Sequence, residues 1–306
     1  MALHTITPLV LSTEFSAKFD VEVFLKLDAV QPSGSFKIRG IGHACETYYA
    51  EGASRFVSSS GGNAGYAVAY AGKQLCVPVT VVVPVTTSLH AQKLIASQGA
   101  EVVVFGDSWI EANEKAQTLL DERTVFIHPF DDPLLWKGHS TLVEELAAQG
   151  EKPDVIVCSV GGGGLLNGII EGMKNIGWSD VGIVAAETVG AASLHQSLAE
   201  GRIVSLPEIA TVATSLGAKT VSRRTYELAS EFNVKTCALT DKAAVQGSVD
   251  LLNFHRILTE PACGVSVAAL GEIKHLFPEA KRVVVIACGG IGTTIGQLQA
   301  WHADFA

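Results

Sequence analysis

The sequence has no basic run and no excess of positive charge. Its 306 residues include 22 Lys and Arg against 31 Asp and Glu, which gives a net charge of −9 at pH 7. Proteins that bind the phosphate backbone of nucleic acids or an anionic membrane surface use clustered Lys and Arg. We therefore expect neither a nucleic acid nor a membrane as a partner.

Long apolar runs are also missing. A membrane-spanning helix needs about 18 or more consecutive apolar residues, whereas residues 77–85 form a shorter run that Pro78 and Pro84 interrupt. The N-terminal residues show no basic segment followed by an apolar one, so we expect no signal peptide. With 48% hydrophobic and 17% charged residues, the chain is typical of a globular protein long enough for two domains.

Paired cysteines are absent as well. Six cysteines occur, and no two of them are spaced as CxxC. This argues against a zinc site of that type and against a disulfide framework. The pattern is typical of reduced, buried thiols in a cytoplasmic enzyme.

Short runs rich in Val and Ile alternate with helix-like segments along the chain. Continuous apolar runs are typical of parallel strands that are buried on both faces. The predicted strands are residues 21–27, 79–83, 102–105, 155–160, 182–186 and 283–287. The predicted helices are residues 89–98, 109–120, 136–149 and 241–252. This alternation predicts an α/β fold with mostly parallel sheets.

No Ser/Gly-rich linker marks a domain boundary. Residues 36–133 contain their own strand–helix alternation and end at a turn-like Phe-Asp-Asp-Pro segment. We predict that residues 36–133 form a small domain, inserted into a large domain of residues 1–35 and 134–306. A cleft between two such domains is a common ligand site.

A lysine follows the first predicted strand, within the segment PSGSFKIRG at residues 32–40. The Lys37 side chain can form a Schiff base with an aldehyde cofactor if a partly desolvated site keeps its amine neutral. A single lysine in a loop is more often a solvated surface charge. The functional interpretation of Lys37 therefore depends on the other motifs.

Two loops of small residues precede predicted helices. The first, SSSGGNAG at residues 58–65, contains Asn63, whose amide can bond to a phenolate oxygen. The second, Gly161 to Gly164, directly follows a predicted strand. Free backbone N–H groups at a helix N-terminus bind carboxylates and phosphates. Ordinary helix capping explains the first loop equally well, but four consecutive glycines cost much backbone entropy for a mere connector.

The second loop also has an alternative interpretation as a dinucleotide site. Glu187 ends the next predicted strand, where a ribose-binding acid would lie. However, the GxGxxG pattern fails in both registers, because Leu166 or Asn167 replaces its last glycine. No GxxxxGK[ST] motif occurs either, which excludes a nucleoside-triphosphate loop of that type. A dinucleotide-dependent oxidoreductase is thus the alternative from another enzyme class.

A thiol lies at the end of the last predicted strand. Cys288 precedes Gly289 there, and open α/β sheets bind ligands at the carboxyl ends of their strands. A purely structural role is the commoner one for a buried cysteine. Together, the lysine, the amide-bearing loop, the glycine loop and the thiol fit a planar aldehyde cofactor with a phosphate tail.

Several motifs in order resemble those of the fold type II pyridoxal-phosphate enzymes. They are PSGSFKIRG, SSSGGNAG, SVGGGGLL, EPACG at residues 260–264 and CGG at residues 288–290. Over nearly its whole length the chain is similar to the liver-type L-serine dehydratase/L-threonine deaminase family. The resemblance implies a two-domain, tryptophan synthase β-like fold, in which each domain is an open, mostly parallel sheet flanked by helices. It also implies pyridoxal 5'-phosphate as cofactor and a homodimer in the cytoplasm.

The resemblance further implies roles for individual residues. Lys37 would bind the cofactor and then act as the base at the substrate Cα, with Ser60 as a second catalytic residue. The implied cofactor-binding residues are Phe36, Lys37, Asn63, Gly161, Gly162, Gly163, Gly164, Leu165, Cys288 and Gly289. The implied substrate-binding residues are Ser59, Ser60, Gly61, Asn63 and Ala64. A monovalent cation, with potassium as the expected ion, would be bound by Gly161, Glu187, Ala191, Leu216 and Ala218.

The implied reaction converts L-serine to pyruvate and ammonia, and L-threonine to 2-oxobutanoate. A serine racemase, another fold type II enzyme and a weakly active paralogue that only binds the cofactor are the alternatives. Eukaryotic-type racemases carry a serine at the position of Gly61, on the face opposite the lysine, so the glycine favours the dehydratase. The chain ends soon after the CGG motif, and we therefore expect no C-terminal regulatory domain.

Overall fold

A computed structural model describes residues 2–305 of the chain. Within them, ten strands form two separate sheets. The strands are β1 (Leu9–Leu11), β2 (Glu22–Lys26), β3 (Arg55–Ser58), β4 (Val79–Val83), β5 (Glu101–Val104), β6 (Thr124–Phe126), β7 (Val155–Ser159), β8 (Gly182–Thr188), β9 (Val234–Leu239) and β10 (Arg282–Ile286). The predicted α/β fold with mostly parallel sheets is confirmed.

Helices connect and cover the strands. They are α1 (Thr13–Phe19), α2 (Lys37–Ala50), α3 (Asn63–Leu75), α4 (Leu89–Ser97), α5 (Trp109–Gln117), α6 (Pro133–Gln149), α7 (Gly164–Ile176), α8 (Ser193–Glu200), α9 (Arg223–Glu231), α10 (Asp241–His255), α11 (Pro261–Ala268), α12 (Ile273–Leu276) and α13 (Ile295–Asp304). No helix within residues 2–305 is long and apolar enough to cross a membrane.

Within residues 2–305, seven of the thirteen helices begin after a side chain that caps them. Residues such as Ser88, Asp132 and Thr294 accept a hydrogen bond from a backbone N–H of the first turn. Such a cap satisfies one of the N–H groups that have no partner within the helix. Helices α2, α3 and α7 have no side-chain cap, so their N-termini keep unpaired N–H groups.

The larger sheet has six strands in the order β1-β2-β10-β7-β8-β9. All its pairs are parallel except β1 with β2. Strands β7 and β8 are buried along their whole length, as expected for strands covered by helices on both faces. Since β2, β10 and β7 are parallel neighbours, the loops after them lie at one edge of the sheet.

The smaller sheet has four parallel strands in the order β5-β4-β3-β6. Its strands all fall between β2 and β7 in the sequence. The proposed small domain of residues 36–133 includes this sheet, and its boundaries stay a prediction. The helix α3 follows β3 directly and brings Asn63 to the carboxyl edge of the smaller sheet.

Candidate active site

Lys37 is the first residue of α2 rather than part of the loop before it. Its side chain is half-buried, with Nζ 2.6 Å from the carbonyl oxygen of Pro129, to which it donates, and 5.1 Å from the centroid of the Phe36 ring. Burial lowers the pKa of Lys37 to about 8, because a charged ammonium loses its hydration there. A large fraction of this amine is therefore neutral at mildly alkaline pH.

The segment that carries Lys37 is attached to the glycine turn after β10. The Phe36 N–H donates to the carbonyl of Cys288 at 3.0 Å, and the Gly290 N–H donates to the carbonyl of Gly34 at 2.9 Å. Gly289 has a φ of +89°, and a Cβ on it would collide with the Gly34 carbonyl. Glycine is required here because the two segments approach so closely.

Cys288 lies buried in this turn as a protonated thiol. Its Sγ is 3.6 Å from the hydroxyl oxygen of Ser159, which ends β7. The hydrogen bond with the Cys263 side chain, together with burial, raises the pKa of Cys288 well above its usual range. The site therefore has a neutral thiol, not a thiolate, next to the Lys37 segment.

The glycine loop between β7 and α7 has no room for side chains. A Cβ on Gly162 would collide with the ring of Phe130, and one on Gly163 with Thr225. A Cβ on Gly164 would lie 2.7 Å from the Phe130 carbonyl oxygen. Gly163 also has a φ of +96°, which L side chains rarely adopt. Only glycines allow this backbone to lie between its neighbours.

The same loop presents unused hydrogen-bond donors. The N–H groups from Gly161 to Leu165 donate to no other group within residues 2–305, and α7 has no side-chain cap. Such donors at a helix N-terminus form an anion-binding site. The loop is held by the residue that precedes α9, because the Ser222 N–H donates to the carbonyl of Gly162 at 3.1 Å.

Asn63 opens α3 and is held by two partners. Its Oδ1 accepts from the Ile291 N–H at 3.0 Å, and its Nδ2 donates to Glu260 Oε2 at 3.0 Å. Ile291 follows the glycine turn after β10, so these bonds join the smaller sheet to the larger one. Asn63 and Cys288, which are far apart in the sequence, are thus brought to the same region.

The other residues of the first small-residue loop have different surroundings. The Ser59 hydroxyl is buried and donates to Asn113 Oδ1 at 2.9 Å, on α5. The Ser60 hydroxyl accepts from the Gly62 N–H at 3.4 Å, and no hydrogen bond within residues 2–305 joins it to Lys37. A Cβ on Gly61 would lie 2.7 Å from Thr87 Cγ2. Ala64 is buried in the first turn of α3.

Of the predicted cation ligands, Glu187 is fully buried near the end of β8. Its carboxylate accepts from the N–H groups of Leu194 at 2.9 Å and His195 at 2.7 Å. Burial raises the pKa of Glu187 to about 7, and these two bonds act in the opposite direction. The negative charge of this carboxylate has no cationic partner among the ion pairs of residues 2–305.

The backbone positions of the predicted cation site are only partly brought together. A Cβ on Gly161 would lie 3.1 Å from the Leu216 Cα, so these two segments touch. The Ala218 N–H donates to the Leu216 carbonyl at 2.7 Å, and Ala191 is buried at the end of a short 3-10 turn. Residues 2–305 contain no cluster of three or more His, Cys, Asp or Glu side chains suited to a metal. A site built mainly from backbone carbonyls does not require such a cluster.

Two residues near the site were given no role by the sequence analysis. Glu260 belongs to the EPACG motif, from which no role was predicted for it, although its carboxylate accepts a hydrogen bond from Asn63. His139 is fully buried 5.0 Å from the Phe36 ring, measured between ring centroids, and neither of its ring nitrogens has a hydrogen-bond partner. Burial and the nearby Lys37 charge hold the pKa of His139 well below its usual range, so the ring is neutral. A glutamate directly before a Pro-initiated apolar helix was the available signal for Glu260.

The chain is similar to other proteins over nearly its whole length. A family model described as pyridoxal-phosphate dependent enzyme matches residues 2–289. A human protein named L-serine dehydratase/L-threonine deaminase is 43% identical, covering 97% of this chain and 94% of its own length. A mouse protein named serine dehydratase-like is 46% identical, covering 97% and 93%. The crystal structure of an L-serine ammonia-lyase from Rhizomucor miehei matches with a TM-score of 0.95 at 32% identity, covering 100% of both chains.

Proposed function

Because this chain belongs to the pyridoxal-phosphate-dependent enzymes, we propose that it removes water and ammonia from L-serine to yield pyruvate. The same elimination from L-threonine yields 2-oxobutanoate. The observation that carries the proposal is the attachment of the Lys37 segment to Cys288, in a chain matched along its length by serine dehydratases. This attachment places the segment that carries the Lys37 amine next to a residue with a neutral thiol.

The residues present fit pyridoxal phosphate. The glycine loop has unpaired N–H groups and no space for a Cβ, which suits a phosphate that must approach the backbone. The Lys37 amine is withdrawn from water, as an amine that reacts with an aldehyde must be. The glycine loop therefore suits a tetrahedral anion, and the Lys37 amine suits an aldehyde.

We assign the cofactor contacts as follows. Lys37 would bind the aldehyde carbon, and the backbone from Gly161 to Leu165 would bind the phosphate. Phe36 and Asn63 would contact the ring and its phenolic oxygen. Cys288 would face the ring nitrogen, with Gly289 beside it. These assignments follow the family resemblance, and the contacts among the Lys37 segment, Cys288, Asn63 and the glycine loop support them.

When bound, the cofactor supplies a conjugated ring that can take up the electron pair released at the substrate Cα. Lys37 would accept the Cα proton, since an amine with a pKa of about 8 acts as an efficient base near neutral pH. Cys288 would present a protonated thiol to the ring. A carboxylate in its place would carry a negative charge, which the thiol does not. This favours loss of the β-hydroxyl over reactions that need a long-lived carbanion.

The substrate carboxylate would lie against the N-terminus of α3. This helix has no side-chain cap, and its positive end favours an anion. Ser60, Gly61 and Ala64 surround that N-terminus in the chain, and Ser60 would act there as the second catalytic residue. Ser59 would hold the loop in place, because its hydroxyl donates a hydrogen bond to Asn113 Oδ1.

A monovalent cation would bind beside the glycine loop. The Glu187 carboxylate would neutralise it, and backbone carbonyls of Gly161, Ala191, Leu216 and Ala218 would complete the oxygen shell. Within residues 2–305, Glu187 is fully buried without a cationic side chain as partner, and this burial raises its pKa to about 7, so a bound cation would stabilise its charged form. We expect activity in potassium to exceed that in a bulky organic cation, and Glu187→Gln to remove the difference. Equal wild-type rates in both salts would contradict the site.

A homodimer in the cytoplasm is also proposed. All six cysteines are free thiols, as is usual in a reducing compartment. The dimer rests on the family resemblance. Sedimentation velocity separates a monomer of 32.1 kDa from a species of twice that mass, and a pure monomer would contradict this proposal.

The decisive experiment mixes purified protein, pyridoxal phosphate and L-serine. We expect pyruvate, detected through lactate dehydrogenase and NADH, and 2-oxobutanoate when L-threonine replaces serine. Borohydride should fix the cofactor on Lys37, and Lys37→Ala should lose at least about four orders of magnitude in rate. Lys152→Ala, at an exposed ion pair, is the control.

The other outcomes point to the alternatives. D-serine without pyruvate would indicate a racemase, and a cofactor-bound protein with neither product would indicate a binding paralogue. A protein that binds NAD but not pyridoxal phosphate would support the oxidoreductase. Each of these results would overturn the proposed elimination.

A further inference from the structure

Glu260 is a buried carboxylate on which three separate segments converge. The residue precedes α11, and its side chain is 6% exposed. Its Oε1 accepts from the Gly292 N–H at 2.8 Å, and its Oε2 accepts from Nδ2 of Asn63 at 3.0 Å and from the Ser215 hydroxyl. A buried carboxylate with three donors is fixed in orientation.

The backbone around Glu260 is shaped to its side chain. Gly290 has a φ of +128°, and a Cβ on it would collide with the Glu260 carboxyl group. A Cβ on Gly292 would lie 3.0 Å from Glu260 Oε1. The turn after β10 therefore has glycine at both places where it passes the carboxylate, and the carboxylate has no room to move away.

This fixed carboxylate determines which way the Asn63 amide faces. An Asn amide has one oxygen acceptor and two N–H donors, and the two ends have nearly the same shape. The Ile291 N–H requires the oxygen on one side, and Glu260 requires the nitrogen on the other. A flipped amide would place two donors against each other and two acceptors against each other. The second N–H of Nδ2 has one acceptor within residues 2–305, the Ser215 hydroxyl oxygen, at the long distance of 3.5 Å.

We propose that Glu260 is a positioning residue of the elimination, which holds the Asn63 amide so that its remaining N–H faces the cofactor. The proposal rests on the proposed function, since Asn63 is assigned there to the phenolic oxygen. If the Asn63 amide were free to flip, its carbonyl oxygen would face the phenolic oxygen of the cofactor for part of the time, and two acceptors would then oppose each other. Glu260 therefore acts through Asn63 and touches neither cofactor nor substrate.

The test is Glu260→Gln, which keeps the size and loses one acceptor. Its carbonyl oxygen can still accept from Gly292, but its NH₂ group then faces the NH₂ group of Asn63. We expect pyridoxal phosphate to bind about tenfold more weakly in a fluorescence titration of the apoprotein. We also expect a shifted absorption maximum of the bound cofactor. Glu171→Gln, at a half-buried glutamate of α7, should bind as the wild type does.

A double-mutant cycle separates positioning from general destabilisation. In an Asn63→Ala background, Glu260→Gln should cause no further loss of cofactor affinity, because the residue it acts through is gone. An equal loss in both backgrounds would overturn the proposal, and so would wild-type affinity in the single variant. If Glu260→Gln does not fold, Glu260→Asp replaces it, since the shorter side chain cannot keep its bonds to both Asn63 Nδ2 and the Gly292 N–H; an unchanged affinity and spectrum would then overturn the proposal.

The two hypotheses fail in different ways. If the wild-type protein binds pyridoxal phosphate and forms pyruvate while Glu260→Gln behaves identically, only the positioning role is wrong. If the wild-type protein forms no pyruvate from L-serine, the proposed function is wrong. In that case a weaker affinity in Glu260→Gln would still support the link between Glu260 and Asn63.

Discussion

In the proposed function Lys37 reacts as a neutral amine, and its surroundings determine the pH at which it can do so. The side chain contacts the Phe36 ring and one carbonyl, with no carboxylate among its hydrogen-bond partners in residues 2–305. Burial therefore lowers its pKa to about 8 from 10.5, and the nearby Cys288 opposes this shift only in part. The motif identifies the lysine, but this environment is built from residues 36, 129 and 288, which only folding brings together.

We predict that cofactor binding speeds up as the pH rises through about 8. The neutral fraction of the Lys37 amine grows across its pKa of about 8, and only that fraction attacks the aldehyde. Stopped-flow absorbance of apoprotein mixed with pyridoxal phosphate from pH 6 to about 12 measures this dependence. N-acetyl-lysine amide is the control and should show its inflection about two pH units higher. An inflection of the protein near the control value would contradict the burial of Lys37.

Gly61 is the position at which the dehydratase and racemase hypotheses differ. Its φ lies outside the left-handed region, so a serine is not excluded by the backbone. A serine Cβ would, however, lie 2.7 Å from Thr87 Cγ2 and 2.8 Å from its hydroxyl oxygen. The Thr87→Ala substitution removes both contacts and leaves a Cβ at 3.3 Å.

We predict that Gly61→Ser alone weakens cofactor binding and slows elimination. Combined with Thr87→Ala, it should yield detectable D-serine, because a hydroxyl opposite Lys37 can return a proton to Cα. Chiral chromatography measures D-serine beside pyruvate, and Thr87→Ala alone is the control. A double variant that binds the cofactor and forms only pyruvate would show that other residues decide the outcome.

At the scale of elements, the sequence predicts the strands that are buried on both faces. Strands β4, β7, β8 and β10 are continuous apolar runs, and the predicted bounds agree with them to within two residues. Four strands were not predicted. β1 and β6 have three residues each and β3 has four, and β9 is half-exposed and contains Lys235. Runs this short or this mixed carry no usable periodicity, and pairing with neighbours defines them.

The helix N-termini show a second limit of the sequence. Ser108 and Thr240 are recognisable caps, whereas α2, α3 and α7 begin after Phe36, Gly62 and Gly163 without one. An uncapped start reads as a weak helix signal, yet these three helices carry Lys37, Asn63 and the end of the glycine loop at or next to their first residue. The motifs locate these three helices, but only the sheet order β2-β10-β7 shows why two of them converge.

A buried ion network holds α2 in place behind Lys37. Arg39 is fully buried and pairs with Asp28 at 2.6 Å and with Glu145 of α6 at 2.6 Å. Lys26 of β2 pairs with the same Glu145 at 2.5 Å. Burial would raise the pKa of Glu145, but the hydrogen bonds from Arg39 and Lys26 outweigh it and lower the pKa.

We predict that Glu145→Ala reduces the free energy of unfolding by about 3–5 kcal/mol, because it leaves buried cations without their partner. Lys152→Ala, at an exposed pair with Asp180, should cost less than about 1 kcal/mol. Urea unfolding at pH 7 measures both. Since the pKa of Glu145 is depressed by folding, its contribution should fade as the pH falls below its ordinary value. A loss below 1 kcal/mol in Glu145→Ala would contradict the network.

At the scale of the molecule, the site is assembled from both sheets. The larger sheet contributes the loops after β2, β7 and β10, which lie side by side because those strands are parallel neighbours. The smaller sheet contributes Asn63 through α3, and Asn63 reaches Ile291 and Glu260 across the junction. The sequence predicts which motifs belong to the site. It does not predict these cross-sheet bonds, because nothing in the spacing of residues 63, 260 and 291 links them.

We predict that cofactor binding stabilises both sheets together. Ligand at about 100 times its dissociation constant adds about 2.7 kcal/mol to the free energy of unfolding. If the cofactor contacts Asn63 as well as the glycine loop, β3 and β4 should gain hydrogen-exchange protection along with β7 and β10. In Asn63→Ala, protection should be confined to β7 and β10, since only the larger sheet would still hold the cofactor firmly. Protection limited to the larger sheet in the wild-type protein would mean that Asn63 does not reach the cofactor, and that the smaller sheet serves the substrate alone.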